Sequence, residues 1–218
     1  MHFLDAWSSL SLLDQLRLIA PAALMVAAIL LPGRRAAIAV AFALAIAVPV
    51  SDAAGEGWAT NLGWGLLWAG VGLVLVRGSG SGMRRPVEGA GGFESSVIGL
   101  MLGIPFCALL TLAIARQDLS SGLTRTATIG VLYLTLGLIH LMVRRHVLRS
   151  ALGWGFVGFG LQVLEGAVRA TLPPALAPPS GVALLATFVT LALVLRLGLA
   201  RARWVGSAWL SDAHDLHD

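Results

Sequence analysis

Residues 141–170 read LMVRRHVLRSALGWGFVGFGLQVLEGAVRA: an arginine cluster, an apolar run, then Gln162, Glu165 and Arg169. An amide, a carboxylate and a guanidinium are costly in lipid unless they are paired or hydrated. On a helix, Ala151, Gly155, Gly158, Gln162, Glu165 and Arg169 follow one another at steps of four, three, four, three and four, which places them on one stripe. Small residues on that stripe admit another helix, while Gln162 and Glu165 call for hydrogen-bonding partners or water. The opposite side carries Leu152, Phe156, Phe159 and Val163, suited to lipid or to bulky neighbours. The stripe is therefore expected to face a neighbouring polypeptide.

The rest of the chain fits a membrane setting. Of 218 residues, 57% are hydrophobic and 12% charged, with a mean hydropathy of +0.86, far more apolar than a soluble domain. All 15 basic residues are arginines that lie between apolar runs instead of forming a patch beside stacking aromatics, which argues against a nucleic-acid partner. The acidic N-terminal stretch lacks a basic leader, so no cleavable signal peptide is expected. The apolar runs are too long for barrel strands and predict an all-α polytopic bundle of seven helices. These cover 12–31, 36–50, 60–76, 95–115, 123–143, 147–168 and 179–199. The Gly- and Arg-rich linker 78–94 divides a front block, 1–77, from a rear block, 95–203, and a polar tail, 204–218, follows. GSGSG in that linker lacks the lysine and the strand-loop-helix setting of a phosphate loop.

Alternating spans sort the loop arginines into two groups. One side collects Arg34, Arg35, Arg77, Arg84, Arg85, Arg144, Arg145, Arg149, Arg201 and Arg203; the other has Arg17, Arg116, Arg125 and Arg169. The asymmetry predicts a multi-pass membrane protein with its C-terminus in the cytoplasm and its N-terminus outside.

Few side chains offer chemistry. Glu165 is a candidate proton carrier, weighed against an interfacial ion pair with Arg169 at the i to i+4 spacing. Gln162 lies beside it on the stripe. The fifth helix carries a second ladder, Gly130, Tyr133, Gly137 and His140, in which His140 titrates most readily and otherwise bonds a carbonyl or a neighbour. Gly130, Gly137, Gly155 and Gly158 are the expected helix-packing positions. Thr60 and Asn61 are expected to cap the third helix, and Pro105 is the central helix breaker in this plan. No nucleophile-base set, paired carboxylates or metal-spaced cluster lies within the helices, and neither a catalytic site nor a cofactor is expected. The lone Cys107 is a packing residue. His214 and His217 stand in a polar tail, read as solvated.

The segment RRHVLRSALGWGFVGFGLQVLEG resembles subunit K of bacterial complex I, and more specifically its longer relative, component E of hydrogenase-4 and related membrane-bound hydrogenases. Arg145 to Arg149 match the family hinge, Gly153 and Trp154 its Gly-aromatic pair, and Gly160 a later glycine. Residues 123–200 would then form the three-helix subunit K-like unit. The resemblance implies a non-catalytic subunit of a redox-driven ion-translocating assembly, packed against antiporter-like membrane subunits and helping to form or seal an ion path. Gly155 and Gly158 stand where subunit K and component E carry glutamates, and Gln162 replaces an asparagine or histidine. The family's relay therefore does not transfer to this chain residue for residue. Water could occupy the vacated space, with Glu165 as a displaced carboxylate. The C subunit of Mrp-type cation/proton antiporters also tends to lack that glutamate, which keeps an antiporter assembly as an alternative. A stand-alone small-solute transporter is another, and it requires a midplane site built from broken helices.

Overall fold

Ser11 caps the start of the first span: its hydroxyl accepts from the Asp14 N–H at 3.2 Å, satisfying one of the orphan donors of a helix start. The computed structural model describes residues 7–8, 10–31, 34–53, 57–77, 91–117, 119–143, 146–173, 175–177 and 179–205. These form seven α-helices: α1 (Leu12–Leu30), α2 (Arg34–Ser51), α3 (Trp58–Arg77), α4 (Gly91–Ala115), α5 (Ser121–Val143), α6 (Val147–Arg169) and α7 (Val182–Val205). Six are long and apolar enough to cross a membrane; the apolar part of α4, Met101–Ala115, is shorter. The chain is a multi-pass, all-α membrane bundle, and each expected span has a helix. The second, short and Ala-rich in sequence, is an 18-residue helix. The last begins at Val182, three residues later than expected, after Pro179 and after Gly181, whose φ of +82° is incompatible with a right-handed helix.

The centre of the bundle is α6. It packs against α5, α7, α3 and α2, and 72% of its most apolar window is buried against 17% in α7. Glycines set its approach to α5. A Cβ on Gly137 would lie 2.9 Å from the Gly153 carbonyl, and one on Gly153 would lie 3.0 Å from the Gly137 carbonyl. Two turns away Gly130 and Gly160 repeat the arrangement at 3.2 and 2.9 Å. The two antiparallel helices thus touch backbone to backbone at two levels, the mode of association that small residues permit in lipid.

The other face of α6 is as deeply covered. Phe156 and Phe159 interlock with Trp64 and Trp68 of α3 and Tyr133 of α5, with ring centroids 5.1 Å apart for Tyr133 and Phe159 and 5.2 Å for Trp64 and Phe159. Of the two environments open to Leu152, Phe156, Phe159 and Val163, the structure supplies bulky neighbours: all four are 0–1% exposed. What remains for lipid on α6 is a narrow strip of Trp154, Leu161 and Val168. On the periphery, α4 leans on α5, and α1 packs against α2 and α5.

Prolines add detail that Pro105 alone did not suggest. Pro21 and Pro49 also lie inside helices, and all three helices run on through them. A helical proline weakens the bonds of the carbonyls three and four residues before it. In α1 one of these, the Leu18 carbonyl, accepts from the Tyr133 hydroxyl; in α2 the Ala45 carbonyl would lie 3.0 Å from a Cβ on Gly65 of α3, so glycine admits the close approach. Tyr133→Phe is expected to cost about 1–2 kcal/mol by stranding the Leu18 carbonyl, measured as reduced stability to denaturant in detergent micelles.

Candidate functional site

A helix begins with N–H groups that have no partner within it, and α7 has no side chain of its own to satisfy them at Gly181. Its neighbour α6 provides the acceptors. Gln162 Oε1 accepts from the Leu184 N–H at 3.1 Å and Glu165 Oε2 accepts from the Ala183 N–H at 3.2 Å. The other carboxylate oxygen, Oε1, is paired with Arg169, whose Nη2 also donates to the Pro179 carbonyl at 3.1 Å in the α6–α7 loop. The carboxylate stands at the positive end of the α7 dipole, where negative charge is favoured. Glu165 and Arg169 are thus the i to i+4 pair that the spacing suggested, and Glu165 also caps a second helix while Arg169 holds the loop before it.

This arrangement corrects the expectation that the polar stripe faces another polypeptide: the neighbour is α7 of the same chain. The glycines above it are likewise occupied from within. A Cβ on Gly155 would lie 2.8 Å from the Trp68 ring, and one on Gly158 would clash with Thr187. The space beside Gly155 and Gly158, which the resemblance left open to water, therefore holds an indole and a threonine. Gly130 and Gly137 meet Gly160 and Gly153 of α6, so all four glycines expected to pack helices do so within the chain.

The remaining polar candidates lie along the α5–α6 seam. Tyr133 is fully buried and bonded to α1 as described. His140 is fully buried, and its Nε2 donates to the Arg149 carbonyl at 3.2 Å. In the antiparallel register fixed by the glycine pairs, Tyr133 lies level with residue 157 of α6 and His140 with residue 150. Gln162 and Glu165 stand instead on the α7-facing side of α6, so the four do not share one face. Successive levels are separated by about 4 to 11 Å at 1.5 Å per residue, so direct side-chain transfer does not link them all. Two further buried polar groups escape a sequence reading: the indole N–H groups of Trp64 and Trp68 lack a hydrogen-bond acceptor among the described residues. Both tryptophans read as ordinary apolar bulk in sequence, and only the packing of α3 on α6 shows them buried.

At the arginine-rich end, Arg34 Nη2 donates to the Leu75 carbonyl at 2.7 Å and Arg149 Nη2 to the Leu31 carbonyl at 3.2 Å, so cations tie down the C-termini of α3 and α1. His146, between α5 and α6, has its pKa lowered to about 4 by burial first and then by Arg149 and Arg34. The unfolded chain binds this proton from about pH 6.5 downward and the folded chain only near 4, so stability is expected to fall as pH drops through that window. His146→Gln should flatten the decline, as read by thermal unfolding between pH 4 and 7.

Neither Thr60 nor Asn61 is the cap of α3, which begins at Trp58; the Asn61 amide donates to Asp52 Oδ1 at 2.9 Å, tying the α2–α3 turn. The linker residues 78–90 and the tail with His214 and His217 lie outside the described residues. Among the described residues no group of three His, Cys, Asp or Glu could hold a metal ion. No family model matches the chain, and the curated proteins and the solved structures likewise give no match.

Proposed function

We propose that this chain is a non-catalytic integral-membrane subunit of a complex I-like or group 4 hydrogenase-like, redox-driven ion-translocating assembly. It lies in the bacterial inner membrane with the arginine-rich end in the cytoplasm, as the ten-to-four division of loop arginines suggests. Its partners are other membrane subunits of that assembly, antiporter-like in character. The observation that carries the reading is the unit α5–α6–α7: three helices joined by close glycine contacts and helix capping, over the segment that resembles subunit K. In such an assembly α6 would be a rigid axis, with Glu165 and Gln162 on its α7 side and Tyr133 and His140 on its α5 side as the polar groups beside an ion path, and with water needed between them.

A stand-alone solute transporter is less well supported, because α4 runs unbroken through Pro105 and offers no midplane pair of half-helices. The test is made in the assembled complex. Glu165→Gln keeps the acceptor oxygen for α7 but cannot ionise. If Glu165 carries protons, coupling falls at least tenfold while the complex remains assembled; unchanged coupling removes the relay role and leaves a scaffold. Purification in mild detergent tests the larger claim: co-purifying membrane subunits are expected, and a monodisperse monomer that transports a solute in liposomes would overturn it.

A further inference from the structure

An apolar groove of about 570 Å³ runs between α3 and α7, and an arginine stands on each wall at its end. On α3 the lining residues Gly63, Gly70 and Val74 are spaced so that Arg77 continues the same face; on α7 Phe188 and Ala192 lead at steps of four to Arg196. Gly63 packs against Leu184, and both helices run toward the arginine-rich end, so Arg77 stands level with residue 198 and Arg196 with residue 75. The two arginines are thus within about 3 Å of each other along the helix axes. Both are exposed, and neither has a hydrogen bond or ion pair among the described residues. The carboxylates among the described side chains, Asp14, Asp52 and Glu165, all lie at the other end of the bundle. Arg196 also lies within the apolar span Val182–Arg201, where an outward-facing guanidinium is costly unless it reaches an anion at the membrane surface.

We propose that this groove binds one anionic phospholipid, with an acyl chain between α3 and α7 and the phosphate held by Arg77 and Arg196. From Gly181 to Leu195 the groove extends about 21 Å, longer than the ~15 Å of hydrocarbon in one leaflet. Gly70 keeps it open, since nothing lies within 4 Å of a Cβ built there. Any acyl chain fits such walls, and the two guanidinium groups at the mouth supply the selection. A phosphate accepts from both, whereas a headgroup that also carries an ammonium would bring a further cation to two that have no described counter-charge. A soluble phosphate would meet the arginines but leave the apolar walls uncovered.

The test is native mass spectrometry of the full-length protein in neutral detergent, titrated with dioleoylphosphatidylglycerol or dioleoylphosphatidylcholine. Expected is one retained lipid, with a preference of about tenfold for phosphatidylglycerol. Arg77→Gln and Arg196→Gln should each weaken its binding about fivefold, the contribution of one guanidinium near a membrane surface. Arg35→Gln, an exposed arginine at the same end but on α2, which packs on the opposite face of α3, should leave binding unchanged. Gly70→Leu should weaken both lipids by filling the groove while both charges remain. Phosphatidylglycerol with a diazirine at its acyl end should label 63–74 and 184–195. Equal retention of the two lipids, an equal loss in Arg35→Gln, displacement by glycerol phosphate at the same concentration, or labelling spread over other helices would each overturn the proposal. A crosslink showing the groove covered by a second polypeptide would overturn it as well.

Discussion

Gly160→Ala and Gly137→Ala are each expected to destabilise the bundle by about 2–3 kcal/mol, although alanine is the better helix former. A methyl group at 160 would lie 2.5 Å from the Leu134 nitrogen, and one at 137 would lie 2.6 Å from the Val157 nitrogen. These obstacles are main chain, so relief requires α5 and α6 to separate along their whole contact. Separation opens the Tyr133, Phe156 and Phe159 cluster and loosens α1 through the Tyr133–Leu18 bond. Gly70→Ala is the control: nothing lies within 4 Å of the added methyl, and a gain of about 0.5–1 kcal/mol is expected. Denaturant unfolding in micelles, with all three variants in one buffer, reads the difference.

Leucine at Gln162 or Glu165 is expected to cost about 1–3 kcal/mol each, because it leaves an α7 N–H without its acceptor. The two losses differ in character. Gln162 is fully buried, so the Leu184 N–H has no ready access to water once the amide is gone. Glu165 is 14% exposed, and its removal also deprives Arg169 of a carboxylate. Glu165→Gln keeps an acceptor for Ala183 and should stay within about 1 kcal/mol of wild type, whereas Glu165→Leu should not. This contrast separates capping from charge, since a role through ionisation alone would make both substitutions equally damaging.

The fold was largely legible because membrane helices announce themselves by length and apolarity, and the seven runs needed only end corrections. Helix ends depended on features that hydropathy does not weigh, such as Arg34 reaching the α3 carbonyls and the positive φ of Gly181. The stripe of α6 was also legible, since helical periodicity fixes which residues share a face. What that face meets was not. Periodicity says that Gln162 and Glu165 need donors, yet a covalently distant N–H at Ala183 or Leu184 leaves no mark in composition or spacing. The same limit hid the role of Tyr133, whose partner is a carbonyl 115 residues away, three residues before Pro21. His146 read as one residue of a hinge, and its surroundings depend on Arg34 arriving from α2.

The account rests on α6 completing α7 within one chain. Residue-resolved amide hydrogen exchange of the purified protein in micelles tests this most directly, because the Ala183 and Leu184 amides lie in the first turn of α7, where uncapped donors exchange quickly. Protection of both amides in wild type is predicted, with selective loss at Leu184 in Gln162→Leu and at Ala183 in Glu165→Leu. Rapid exchange of both in the wild-type protein, or protection unmoved by either substitution, would contradict it.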